Sequence, residues 1–260
     1  MSSANPLLSE EEVERQLNDE VIDEASDLVS GLEVRLQQVR AGVLDRETAR
    51  EMLVRDAHNL KLMARTASIP GLATLTHRLE DYLAGVKQVE DKHIEDLQTF
   101  GDRISALLEG DTVAPEQVPE VVRELPSKPT FDVNDIQITN TEVAVVMPQR
   151  SAARVIEREL QACGYRITTV LHPVEAIELI VESRPDFVIT AMVMPTLSGV
   201  DLACALSVMP ATRDIPVALL TSLDRKHPDL RSLPINTGLV RRGDHFGDDL
   251  ADVLERFEIT

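Results

Sequence analysis

Around residue 140 the apolar pattern of this chain changes period, and no single-core fold accommodates both halves. Residues 9–110 carry apolar side chains at helical spacing almost without interruption. From 141 onward, short β-rich runs alternate with helical stretches. Between the halves, Pro115, Pro119, Pro126 and Pro129 fall within fifteen residues among acidic side chains, which reads as an extended, semi-stiff linker over 111–140. A chain of 260 residues is long enough for two such domains, here 1–110 and 141–260.

In the first half, Ser9 with Glu12 forms a capping box, and Val21, Leu28, Leu32 and Leu36 continue one apolar face to Ala41-Gly42. Asp45 offers an N-cap for a second helix over about 46–67. Ile69-Pro70-Gly71 breaks it, a third helix runs to about Val86, and a fourth runs from Asp91 to Gly110. Four helices with short connections read as an up-down bundle.

In the second half, strands are expected at 143–147, 165–170, 186–192, 215–220 and 237–241. Helices are expected near 151–162, 173–183, 199–208 and 246–257. Such alternation gives a five-stranded parallel α/β sheet of flavodoxin-like size. The chain is therefore expected to be multi-domain, an all-α bundle plus an α/β sheet. A helix between the fourth and fifth strands is doubtful, because Pro228 and Pro234 bracket that segment.

Composition excludes several classes of function. Acidic residues number 45 against 26 basic, a formal net charge of −19, which argues against a nucleic-acid surface and against docking on anionic lipid. No apolar run approaches the length of a membrane span, the first residues have no signal-peptide character, and Cys163 and Cys204 form no disulfide framework. A cytoplasmic protein without nucleic-acid or membrane partners is expected. Both cysteines fall on expected helices and read as packed.

Chemistry concentrates on the second and third helices. His58, Lys61 and Arg65 are three and four apart and share one face, as do His77 and Glu80. Packed together, the two faces would set an imidazole beside a cation and beside a second imidazole held by a carboxylate. Neutral imidazole is a competent nucleophile near pH 7 once a hydrogen bond fixes its tautomer, and an ammonium can offset phosphoryl charge. The pattern by itself also allows a solvated surface histidine, and a zinc set of His58, His77, Glu80 and His93 without recognisable ligand spacing.

The run AHNLKLMARTASIPGLATLTHRLEDYLAGV resembles the histidine-phosphotransfer (HPt) domain, in the version found at the N-terminus of chemotaxis histidine kinases, over about 12–110. The resemblance implies that His58 is the phosphorylated residue and that Lys61, His77 and Glu80 support it. That family usually has glycine four residues after the histidine, where this chain has Leu62, a side chain expected to lean over the ring. No ATP-binding fold is read after the bundle, so phosphate must come from another protein.

The second half resembles the receiver domain of response regulators over about 142–258, through VAVVMPQRSAARVIERELQACGYRI, DFVITAMVMPTLSGVDL and IPVALLTS. Receiver chemistry needs a carboxylate nucleophile and two further carboxylates for Mg²⁺. The resemblance puts Ala191 at the nucleophile position and Met147 and Pro148 at the acidic pair, so a receiver fold without receiver chemistry is expected. The basic residue ending the fifth strand would be Arg241 or Arg242, while Thr221 and Asp186 read as inherited structure.

Together these readings imply a phosphocarrier in a two-component phosphorelay. It would take phosphate on His58 from a separate histidine kinase and pass it to the receiver domain of a response regulator, with the pseudoreceiver as interaction or regulatory module. A non-catalytic adaptor or a phosphate sink is the alternative. No cofactor and no metal is expected.

Overall fold

The computed structural model describes residues 9–129, 139–243 and 245–259. The first eight residues, and 130–138 of the expected linker, lie outside the described residues. The chain divides into two compact units, Met1–Pro115 and Glu116–Thr260.

The first unit holds four helices: α1 Glu10–Arg40, α2 Arg46–Ala64, α3 Leu72–Gly85 and α4 Asp91–Leu108. Their starts are fixed by local chemistry. Ser9 and Glu12 form the expected capping box, and Asp45 accepts from the backbone N–H groups of Glu47 and Thr48. Gly71 sits at φ 80°, a left-handed conformation that glycine adopts without steric cost, and turns the chain from α2 into α3. α2 ends at Ala64, a few residues before the Pro70 break.

α2 packs on α1 and α3, and α4 packs on the same two helices. Leu32, Leu36, Leu53, Leu60, Leu79 and Phe100 are among the fully buried side chains. Polar bonds tie helix to helix: Arg35 pairs with Asp56 at 2.8 Å between α1 and α2, and the Tyr82 hydroxyl donates to Asp96 between α3 and α4. Arg46 and Arg50 donate to the carbonyls of Val89 and Val86, holding the α3–α4 connection against α2.

The second unit begins earlier than the linker reading implies. Val118–Glu124 is a helix, α5, with Pro119 in its first turn, where a missing N–H costs nothing. Val118, Val122 and Leu125 are buried, and α5 packs against the helix between β2 and β3. The segment is also clamped by charge. Arg123 makes two hydrogen bonds to Asp186, at 2.9 and 3.0 Å. The Leu125 carbonyl accepts from Arg166 at 2.6 Å, and Lys128 pairs with buried Glu157 at 3.2 Å. An extended tether is therefore not what 116–129 forms; apolar residues at positions 118, 122 and 125 give it one helical face to bury.

The sheet comprises β1 Glu142–Val146, β2 Arg166–Val170, β3 Phe187–Ala191, β4 Val217–Thr221 and β5 Gly238–Arg241, all parallel in the order β2-β1-β3-β4-β5. The intervening helices are α6 Arg150–Ala162, α7 Pro173–Ser183, α8 Gly199–Val208 and, after β5, α9 Phe246–Arg256. Strand side chains alternate between two cores, which explains why the runs read as continuously apolar. Val143 and Val145 face α6 and α9, whereas Ala144 and Val146 face α7 and α8. Between β4 and β5 there is a single 3₁₀ turn, Pro228–Leu230, and no α-helix is described.

Asp186 has a defined task. It accepts from the Glu142 backbone N–H at 2.8 Å as well as from Arg123, so one carboxylate joins the starts of β1 and β3 to the strap that residues 116–129 form. Cys204 is half-buried, its thiol 3.1 Å from the Ser232 carbonyl. Cys163 caps α6 and is exposed, which corrects its expected packing: the apolar face of α6 ends at Leu160.

The strap makes a testable claim. Replacing Val118 and Val122 together with Ala should destabilise the second unit by about 2 kcal/mol through lost methyl burial. Urea unfolding of the full chain, followed by a probe in the second unit, measures it. An unchanged midpoint would mean that 116–129 is a tether after all.

Candidate functional site

His58 and Lys61 lie one turn apart toward the C-terminal end of α2, and Glu80 lies on α3. α3 packs so that the Glu80 carboxylate meets both α2 side chains. His58 Nδ1 is 2.8 Å from Oε1, and Lys61 Nζ donates to Oε2 at 2.9 Å. A carboxylate can only accept, so Nδ1 carries the proton and Nε2 keeps its lone pair. Expectation and structure differ in one respect: the carboxylate holds His58 itself. His77 is buried on α3, close enough to act electrostatically on Glu80.

Exposure separates the roles. The His58 side chain is 56% exposed, against 13% for Lys61 and 19% for Glu80, so the imidazole faces solvent and the carboxylate that holds it does not. Burial pushes the Glu80 carboxyl up, but the hydrogen bonds from His58 and Lys61, with the Lys61 and His77 charges, outweigh it and hold the group below its ordinary value. Leu62 is 51% exposed. Arg65 is the exposed C-cap of α2 and joins none of these contacts among the described residues.

His93 belongs elsewhere. It is buried at the start of α4, where its Nδ1 accepts from the Glu90 backbone N–H at 3.0 Å, completing a cap. Among the described residues, no group of three His, Cys, Asp or Glu side chains is arranged to hold a metal ion, so the four-residue zinc set does not assemble.

In the second unit, a crevice of about 370 Å³ opens at the C-terminal ends of β1, β3 and β4. Met147, Pro148 and Ala191 line it, and none of them carries an oxygen-donor side chain. The Thr221 hydroxyl is bonded to the Met192 sulfur and accepts from the Leu223 N–H. The structure distinguishes the two arginines at the end of β5. Arg241 is doubly bonded to Asp249 of α9, whereas Arg242 lines the crevice.

Comparison with known proteins finds two kinds of relative. Residues 16–110 match the family model described as the Hpt domain. The second half has homologues among response regulators. The transcriptional regulatory protein PrrA of Mycobacterium tuberculosis is 32% identical over 88 residues, which is 34% of this chain and 37% of that protein. The response regulator PleD of Caulobacter vibrioides is 28% identical over 94 residues, 36% of this chain and 21% of that protein. The chain thus spans well under half the length of these curated relatives. Among solved structures, the receiver domain of the sensor histidine kinase PA1611 from Pseudomonas aeruginosa is 19% identical, with 45% of this chain and 98% of that chain covered at a TM-score of 0.41. The chain is thus similar to the Hpt family over residues 16–110 and to response regulators over stretches of 88 to 94 residues. No helix among the described residues is long and apolar enough to cross a membrane.

The depressed Glu80 carboxyl has a pH consequence. Its folded value lies below its unfolded one, so its contribution to stability is complete above about pH 4.5 and is lost as pH falls through the lower folded value. Glu80→Gln should flatten the bundle's stability profile below about pH 4.5, measured by urea midpoints at each pH. A mutant profile parallel to that of the parent would show that Glu80 gains nothing from its two partners.

Proposed function

We propose that His58 accepts a phosphoryl group from a separate histidine kinase and hands it to the receiver domain of a response regulator. The observation that carries this reading is the Nδ1···Glu80 bond at 2.8 Å on an exposed imidazole. With Nδ1 protonated, the Nε2 lone pair attacks phosphorus while the bond to the donor's leaving oxygen breaks, and the pair remains on that oxygen. The ring becomes positively charged in the product, and the Glu80 carboxylate, already hydrogen-bonded to Nδ1, stabilises that charge. Return transfer to an aspartate reverses the steps. Lys61 and His77 act by keeping Glu80 ionised and in place, so they are positioning residues.

The second unit has a different role in this proposal. Transfer onto a receiver requires a carboxylate and Mg²⁺, and the crevice residues Met147, Pro148 and Ala191 supply neither nucleophile nor ligand. We read it as a pseudoreceiver that serves for interaction or regulation, in a protein that works in the cytoplasm. The same missing carboxylates favour a second reading, in which the whole chain is an adaptor that binds kinase or regulator without carrying phosphate.

Incubation with a cognate kinase and labelled ATP decides between them. The relay predicts an acid-labile, base-stable label that His58→Gln abolishes with the helices intact, and that disappears on addition of the receiving regulator. A label unaffected by His58→Gln refutes the site, and stable binding without any label establishes the adaptor.

A second measurement addresses the pseudoreceiver. Acetyl phosphate with Mg²⁺ should leave 141–260 free of hydroxylamine-sensitive phosphate. A stoichiometric label there would show that a carboxylate other than one at position 191 does the chemistry.

A further inference from the structure

The crevice that lost its carboxylates does not end at the strand tips. A second cavity, about 410 Å³, runs between α6 and α9 and is lined by Ala152, Val155, Ile156 and Phe246, with Glu159 as its one carboxylate. The two cavities share Leu220 and Arg242. Arg242 therefore stands at the junction of two hollows, one floored by Met147 and Ala191 and the other, mostly apolar, walled by α6 and α9.

Its charge is uncommitted. Arg241 spends its guanidinium on Asp249, but no hydrogen bond or ion pair of Arg242 occurs among the described residues. Position adds to this. Open parallel sheets bind ligands beyond the carboxyl ends of their strands where strand order reverses, here between β1 and β3. The volumes fall within the range of small-molecule sites, which are mostly apolar with a few polar anchors.

We infer that this double hollow binds a small amphipathic monoanion, an organic carboxylate whose head pairs with Arg242 and whose apolar body lies in the α6–α9 groove. The chemistry of the lining excludes the obvious competitors. A divalent cation would need several oxygen ligands, and Asp229 is the one carboxylate lining the first hollow. A phosphate dianion would have one guanidinium to neutralise it, in a chain of net charge −19. A monocarboxylate matches one arginine, and its hydrocarbon covers Val155, which is 60% exposed.

Decanoate is the probe, titrated calorimetrically into the full chain, with decanol as its uncharged counterpart. Saturable one-to-one binding is expected for decanoate, with decanol at least tenfold weaker, because a charge-assisted hydrogen bond is lost. Arg242→Gln should weaken decanoate by the same factor or more, and Arg242→Lys should restore part of it. Gly247 borders the α6–α9 groove, and a Cβ there meets no atom within 4 Å. Gly247→Leu should therefore fold normally, with an unchanged urea midpoint, yet block binding. Absence of saturable decanoate binding, or affinity indifferent to Arg242→Gln, overturns the assignment. Indifference to Gly247→Leu overturns the placement of the apolar body.

Discussion

The Glu80 carboxylate is the interaction on which the first unit's chemistry rests. One oxygen holds the histidine and the other holds the lysine, so α3 fixes two α2 side chains through a single group. Because the carboxylate is mostly covered, both bonds form where water competes weakly. The arrangement also divides labour between helices. α2 presents the imidazole outward, and α3 keeps the tautomer from inside. α2 and α3 pack together, with Leu53, Leu60, Leu79 and Leu83 all buried, and that packing sets the register that brings Glu80 to the right turn.

The two units solve a shared problem differently. In the bundle, polar groups that face the interior meet partners on neighbouring helices, as Arg35 meets Asp56 and Tyr82 meets Asp96. In the sheet, polar anchoring at the strand beginnings runs through Asp186, Glu142 and Arg166, which join the strap. At the opposite ends, Arg241 is tied to Asp249, and Arg242 makes no hydrogen bond or ion pair among the described residues.

Most of this architecture was legible in the sequence because its signals are local. Ser9 with Glu12 and Asp45 before α2 announce helix starts through bonds spanning two or three residues. The five strands follow from apolar runs bounded by helical stretches. What escaped is long-range or masked by composition. Four prolines suggested an extended linker, although Val118, Val122 and Leu125 already had helical spacing and Pro119 is well suited to a first turn. Arg123 finds Asp186 across 63 residues, a pairing that no periodicity encodes. In the site, the residue set was readable, but whether Glu80 would hold His77 or His58 depended on how α3 rotates against α2. The choice between Arg241 and Arg242 depended on Asp249, a turn into α9.

The strap also orders events during synthesis. Residues 116–129 leave the ribosome before any strand of the sheet they dock on, and Asp186 follows Arg123 by 63 residues. At ordinary elongation rates that interval is roughly 3 to 13 s. The bundle has every residue it needs before then, whereas Val118 and Val122 have no partner surface until β3 and α7 are made. Synthesis thus separates the units in time, with the helical bundle complete while the N-terminal strap of its neighbour still waits, exposed, for the sheet to arrive.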